Sequence, residues 1–414
     1  MQLATFAIAA RSLGLTQFGN LSVIIAGMQL LIVLVTFQSN QAIVRYGVLH
    51  LESGHRQAFQ RLIKLGFVLD LAAAALAAAA ALLLAPVIAQ GAGWNEEQLD
   101  AWRLLALLPL TIALATPKGI LRLLGRFDLL AWHVTVTPLA RVAGALVLWS
   151  AGAGLFGWIL MWLIAGGAGV VVALWLALRE ARRRDLFEGF DFSLARLHDG
   201  NPGLIRFAFL SNAHSSLLLL PGHLATFSVG LELGPQSAGL MKVAQELGSA
   251  LAKPVDLINQ AVYPDIARLA VAGDWRRVRK VVVKAGVVAT AVSAAITFLL
   301  LVAGRLVIRL VFGTEFESAH ALLVLISLAT MLSVSVFAVE PTLYAIGKPS
   351  RPLLTAASAN AVFVAAMFAG FAPFGLLAPG VAWLAAALTT LLLALWWMTT
   401  TIPKAGVEES REMA

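Results

Sequence analysis

Apolar runs separated by short polar punctuation occupy the chain from end to end. They fall at about residues 1–10, 19–47, 61–88, 102–121, 131–151 and 155–178, then at about 204–231, 236–266, 281–303, 319–345, 353–372 and 376–400. Nearly all reach the roughly 20 residues that carry an α-helix across a ~30 Å hydrocarbon core. None shows the ten-residue alternating segments of a membrane β-barrel. The pattern predicts an all-α polytopic membrane protein with about 12 transmembrane helices. The first segment is the exception, because ten residues rise only about 15 Å. Either about ten to twenty residues belong upstream of Met1, by the same rise per residue, or helix one is only half a helix.

The basic residues give the segments a direction. Arg56, Arg61 and Lys64 follow segment two, Arg122 and Arg126 segment four, and Arg179, Arg182, Arg183 and Arg184 segment six. Arg268, Arg276, Arg277, Arg279 and Lys280 follow segment eight, and Lys348, Arg351, Lys404 and Arg411 complete that side. The opposite loops hold only Arg11, Arg103, Arg305 and Arg309. The positive-inside bias puts the even-numbered loops and both termini in the cytoplasm. The same bias explains a net charge of +8 without any nucleic-acid partner.

Three short motifs recur in order. "LGLTQFG" at 13–19 matches "LGPQSAG" at 233–239, an offset of 220. "SGHRQAFQRLIKLG" at 53–66 matches "AGDWRRVRKVVVKAG" at 272–286, offset 219 to 220, and "ILRLLGRF" at 120–127 matches "TLYAIGKP" at 342–349, offset 222. Six segments per repeat predict two lobes related by a pseudo-twofold axis along the membrane normal, with substrate between them. The expected division is a six-helix lobe over 1–178, a cytoplasmic linker over 179–203, a second lobe over 204–402 and a tail over 403–414.

Segment eight carries polar residues that lipid would reject. Lys242, Glu246, Ser249, Lys253, Asp256 and Gln260 recur every three or four positions and share one helix face. Each charge facing lipid would cost about 2.5–3.5 kcal/mol, so the stripe faces a wet lumen or pairs within itself, Lys242 with Glu246 and Lys253 with Asp256. The positions 220 residues earlier are Ser22, Ala26, Gln29, Val33, Thr36 and Asn40, a milder copy of which Gln29 and Asn40 are lumen candidates. Arg141 within segment five joins them. Asp70, His223 and Glu340 are candidates for proton or ion coupling; the bland alternative for His223 is a packing residue. Arg45 and Lys118 can equally snorkel to the interface.

Composition narrows the chemistry further. At 60% hydrophobic and 13% charged residues the chain is far from a soluble domain, and with no cysteine it has no disulfide or thiolate chemistry. No metal-ligand spacing, phosphate-binding glycine loop or nucleophile motif occurs, so neither cofactor nor catalytic residue is expected. An integral-membrane glycosyltransferase or polymerase would need a substantial outward loop, and "NEEQLD" at 95–100 is short. The loop "LESGHRQAFQRLIK" lacks the Gly/Asp/Arg-rich signature of major-facilitator transporters. A passive membrane scaffold would leave the charged stripe unexplained.

"AARSLGLTQFG" at 9–19 resembles the hinge after the first helix of polysaccharide-repeat flippases, which belong to the multidrug/oligosaccharidyl-lipid/polysaccharide (MOP) exporter superfamily. "AVYPDIARLAVAGD" at 261–274 is similar to that family's motif at the end of helix eight, and "LYAIGKP" to its turn after helix ten. The resemblance implies a MATE-like bundle in the bacterial inner membrane. It implies movement of a polyprenyl-pyrophosphate-linked oligosaccharide to the outer leaflet for surface polysaccharide, lipopolysaccharide or exopolysaccharide. Glycosyltransferases and a polysaccharide polymerase are the implied functional partners. A pyrophosphate headgroup calls for cations: Lys242, Lys253 and Arg141 first, then Arg11, Arg45 and Lys118. The competing reading is a multidrug/cation antiporter of the same superfamily.

Overall fold

The computed structural model describes residues 1–35, 39–112, 115–191, 193, 201, 203–348 and 350–400. The described elements are α-helices joined by turns and two short 3-10 stretches. They are α1 (Gln2–Val35), α2 (Ser39–Glu52), α3 (Arg56–Ala92), α4 (Glu96–Leu105), α5 (Leu108–Ile112), α6 (Thr116–Leu123), α7 (Phe127–Ser150) and α8 (Leu155–Arg183). After them come α9 (Leu204–Val271), α10 (Trp275–Val311), α11 (His320–Val334), α12 (Val339–Ala345), α13 (Ser350–Phe374) and α14 (Ala378–Thr400). Among the described residues nine helical stretches are long and apolar enough to cross a membrane. Three of these, Gln2–Glu52, Ser216–Ser249 and Ser350–Thr400, each take in parts of two of the expected segments.

Helix ends run past the apolar runs. α3 and α10 begin at Arg56 and Trp275, so the basic residues expected in loops lie on their first turns. α8 extends to Arg183, placing Arg182 and Arg183 at its last turn, where cations complement the helix dipole. Among the described residues two segments are broken. Segment four is divided among α4, α5 and α6, and segment ten between α11 and α12. Pro117 and Pro341 lie in the first turns of α6 and α12, where a missing N–H costs nothing and a helix starts readily.

The repeat is visible in backbone conformation. Within α1 Gly14 leaves helical geometry at φ 69°, ψ 175°, and within α9 Gly234 does so at φ 83°, ψ 172°. Glycine alone adopts this region without strain. The other two motifs behave alike: Gly54 and Gly273 have φ of 68° and 71°, Gly125 and Gly347 69° and 73°. The turn expected at residues 13–19 is therefore a one-residue kink. The two kinks meet. Gly19 packs so closely on the Pro235 carbonyl that a β-carbon would overlap it, and Gln236 Nε2 donates to Thr16 Oγ1 at 3.2 Å.

By packing, the chain divides into two compact units, Met1–Ala238 and Gly239–Ala414. In the first, Phe6, Phe18, Trp102, Trp158 and Trp162 are buried, and Trp102 Nε1 donates to the Ala81 carbonyl at 2.8 Å, tying α4 to α3. α3 is inside out by soluble standards. Ala73, Ala77, Ala81 and Ala85 are buried, whereas Leu76, Leu82, Leu83 and Val87 are exposed. Small residues let helices approach where lipid leaves no hydrophobic drive, and the large ones face the tails. In the second unit α10 exposes Val287, Phe298, Val302 and Leu310 in the same way, α13 packs on α14, and Gly380 fits against Leu325.

Candidate functional site

The polar stripe on α9 is paired at its first turn. Lys242 Nζ lies 2.8 Å from Glu246 Oε1, and their side chains are only 14% and 8% exposed. The self-pairing expected for these residues is therefore present, and the pair sits inside the second unit rather than open to solvent. Ser249 Oγ donates to the Glu246 carbonyl at 2.9 Å. Lys253 is exposed. The Asp256 and Gln260 side chains lie outside the described residues. On the expected first copy of the stripe Ser22, Ala26 and Val33 are buried in the packed core, Gln29 and Asn40 are half-buried, and Thr36 lies outside the described residues.

Arg141 sits near the middle of α7, its guanidinium carbon 4.1 Å from the centroid of Trp162 on α8. Trp162 in turn packs on Phe6 of α1 at 5.3 Å between ring centroids. Arg141 Nε, the indole nitrogens of Trp158 and Trp162, and Gln17 Oε1 are buried without a hydrogen-bond partner among the described residues. Three unused donors and one acceptor, contributed by α1, α7 and α8, stay unsatisfied unless water or a polar ligand meets them. A cation stacked on indole keeps its planar fork free for an anion. Sequence pattern marked Arg141 but gave no sign of Trp162, which is one apolar residue among many in its segment.

Asp70 is 1% exposed and has partners from two other helices. Ser39 Oγ, on the first residue of α2, donates to Oδ1 at 2.6 Å. The Thr116 N–H, on the first residue of α6, donates to Oδ2 at 2.8 Å. Segment four breaks beside this carboxylate, so it meets the N-terminal end of α6, where anions are favoured. Close glycine contacts hold α2 and α6 together: a β-carbon on Gly119 would lie 2.9 Å from the Asn40 Cα, and one on Gly47 2.5 Å from Leu123. Ser39 and Thr116 were not singled out from sequence, although "TPKG" carries the Ser/Thr-then-proline signature of a helix start.

The remaining candidates are scattered. Arg11 is exposed on α1 before its kink, and Arg45 is exposed on α2, 5.8 Å from the Tyr46 ring. Lys118 is half-buried on α6, one turn from the Asp70 junction, and His223 is half-buried on α9. Glu340, expected inside the membrane, is exposed at the start of α12. Among the described residues no group of three or more histidines and carboxylates could hold a metal ion.

The basic end of the first unit is tightly knit. Gln60 Nε2 donates to the Leu186 and Glu188 carbonyls, and Lys64 Nζ to those of Asp191 and Ser193, so the stretch after α8 is moored to α3. Buried Glu180 lies 2.6 Å from Arg126 and 3.2 Å from Arg184. Bonds from Asp128 and then Glu180 raise the Arg126 guanidinium above its ordinary pKa.

This arrangement of kinked and broken helices is shared with solved membrane proteins. The chain resembles a multidrug-resistance MATE family transporter of the MOP superfamily in its inward-facing conformation, with a TM-score of 0.75 at 15% identity over 96% of this chain and 94% of that one. It resembles the lipid II flippase MurJ with a TM-score of 0.72 at 13% identity over 96% and 86% of the two chains. The fold is therefore the one that these two membrane proteins share. More particularly, the chain belongs to the polysaccharide biosynthesis protein family, whose model matches residues 1–270. It is 29% identical to the inner membrane protein YghQ of Escherichia coli (strain K12) over 325 residues, 78% of this chain and 90% of that protein.

Proposed function

We propose that the protein is a multi-pass inner-membrane flippase. It carries a polyprenyl-pyrophosphate-linked oligosaccharide from the cytoplasmic to the outer leaflet for surface polysaccharide synthesis, with both termini cytoplasmic. One observation carries this reading: a chain of the polysaccharide biosynthesis family has the fold that a lipid II flippase also has. The physics agrees. A polyprenyl tail stays in the bilayer while its sugars cross a wet lumen, and the pyrophosphate needs a cation that is not already neutralised. Arg141 meets that need best, because it is stacked on an indole and its buried Nε has no hydrogen-bond partner among the described residues. Lys253 comes next, and Lys242 last, since Glu246 already balances its charge. Glycosyltransferases and a polymerase would act before and after the flip.

The MATE likeness favours one second reading, a multidrug or cation antiporter using the buried carboxylates Asp70 and Glu246. Deletion separates the two. The flippase reading expects lipid-linked repeat units to accumulate on the cytoplasmic leaflet, with complementation by the intact gene but not by Arg141→Ala. Unchanged glycolipid distribution with new drug sensitivity would instead establish the antiporter.

A further inference from the structure

The two units treat one corner differently. In the sequence repeat α7 and α8 correspond to α13 and α14, and each of these pairs packs together. In the first unit the arginines of the corner are neutralised from within. Arg126 and Arg184 lie 2.6 and 3.2 Å from Glu180, whose side chain is 7% exposed. That acid is not repeated, since the position 222 residues after it is Ile402. In the second unit two arginines reach consecutive residues of α14 instead. The Arg351 guanidinium carbon, on α13, lies 4.5 Å from the Trp397 ring centroid, and Arg279 Nη2, on α10, donates a long bond of 3.4 Å to the Met398 carbonyl. Among the described residues neither arginine forms an ion pair, and Arg351 Nη1 is buried without a hydrogen-bond partner.

The indole is held as a platform. Trp397 Nε1 donates to Thr355 Oγ1 at 3.1 Å, and that hydroxyl donates to the Arg351 carbonyl at 3.0 Å. A half-buried guanidinium held by stacking alone can turn towards an anion and gain the hydrogen bonds it lacks. Lys348, exposed three residues before Arg351, adds positive charge. On the same two helices Leu354, Leu392 and Trp396 are exposed, large apolar side chains of the kind that face acyl tails.

We propose that Arg351 and Arg279 form a binding site for the phosphate of an anionic membrane lipid, distinct from the Arg141 cluster of the first unit. Arg351 supplies a planar fork of donors and Arg279 a second charge. The acyl chains lie along the exposed apolar side chains of α13 and α14. A phosphodiester carries one negative charge and only acceptor oxygens, so it satisfies both guanidiniums and leaves no donor of its own unmet. The seated lipid ties α10, α13 and α14 together at one end, as Glu180 ties α8 to the residue before α7 in the first unit.

Full-length protein in neutral detergent is titrated with phosphatidylglycerol, and bound lipid is counted by native mass spectrometry. Phosphatidylcholine of the same chain length and inorganic phosphate alone form separate arms. The parent should retain phosphatidylglycerol in preference to phosphatidylcholine, whose ammonium cancels the phosphate charge. It should hold inorganic phosphate weakly, because that ion brings no acyl chains. Arg351→Gln should weaken phosphatidylglycerol binding about tenfold or more, the loss of one charge-assisted contact. Arg279→Gln should weaken it less, since one of its donors is already given to Met398. Trp397→Leu keeps both charges, removes the platform and should fall between the two. Arg103→Gln, at an exposed arginine of the first unit, should change nothing. Equal retention by the parent and both corner variants, or an equal loss in Arg103→Gln, overturns the proposal. So does a parent that binds phosphatidylcholine or inorganic phosphate as tightly as phosphatidylglycerol. If Arg351→Gln does not fold, undiminished binding in Arg279→Gln and Trp397→Leu overturns it equally. No lipid-linked glycan is present, so failure here leaves the flippase reading intact.

Discussion

Both halves of the chain break the fourth of their six segments but close the break differently. In the first half, the start of α6 is held by Asp70, a carboxylate from a neighbouring helix. In the second half, 220 residues after Asp70, stands Thr290, whose hydroxyl donates to the Gly286 carbonyl of its own helix at 2.7 Å. There the gap between α11 and α12 closes on its own backbone, with Phe337 N–H to Val334 and Val339 N–H to Val336. Buried Ile266, Val278, Val282, Ala285, Ala338, Val339 and Leu343 pack around it, and buried Thr342 bonds the Ala338 carbonyl of the same stretch. A broken helix at this place in the fold therefore does not need a buried charge. Buried ionic groups are weak evidence for stability in themselves, so what Asp70 adds to the first break is a matter for measurement.

The sharpest way to break this comparison is to remove both groups. Asp70→Ala leaves the Ser39 hydroxyl and the Thr116 N–H buried without an acceptor, at about 1–3 kcal/mol each. Thr290→Ala removes a bond that competes with its own helix, and should stay within about 0.5 kcal/mol. Thermal unfolding in one detergent measures both, and equal losses would end the contrast.

Next in size are the glycines one turn earlier. Gly286→Ala drives a β-carbon to 2.6 Å from the Ser335 carbonyl, which cannot swing away, and should cost about 1–3 kcal/mol. Gly66→Ala meets only the Thr116 side chain, at 2.7 Å. It should cost less than Gly286→Ala, because a side chain can give way where a backbone carbonyl cannot. Equal losses in thermal unfolding would argue that the Thr116 side chain is as firmly held as the backbone.

A third change separates binding from stability. Arg141→Met removes a stacked cation whose Nε has no partner, so the melting temperature should hold or rise, while transport falls tenfold or more. Loss of both together would make Arg141 a structural residue. The smallest effect belongs to the meeting of the two kinks. A double-mutant cycle on Thr16→Val and Gln236→Leu should give a coupling of about 0.5–1 kcal/mol.

Much of this architecture is legible in the sequence, because the bilayer demands long apolar runs and satisfied backbones. The twelve runs reappear as helices or parts of helices, and each motif that marked the repeat holds a left-handed glycine at its matched position. The breaks within segments four and ten were hidden, since an apolar run reads the same whether it is one helix or two. The site was legible as residue types and not as partners. Lys242 and Glu246 announce a pair by their spacing of four, and the structure has it. Asp70 announces only a buried acid. Its partners lie 31 and 46 residues away and reach it because α2 and the start of α6 pack beside α3. Trp162 beneath Arg141 was equally invisible, since local periodicity cannot tell a stacking indole from a lipid-facing one.

The central claim concerns what the chain moves. The most direct measurement reconstitutes the purified protein into liposomes carrying a fluorescent polyprenyl-pyrophosphoryl glycan in one leaflet and follows its exposure to a membrane-impermeant quencher. The flippase account predicts that quenching becomes complete at a rate that rises with protein content and falls sharply in Arg141→Ala. Quenching that stops at the protected leaflet, in proteoliposomes that nonetheless exchange organic cations for protons, would contradict it.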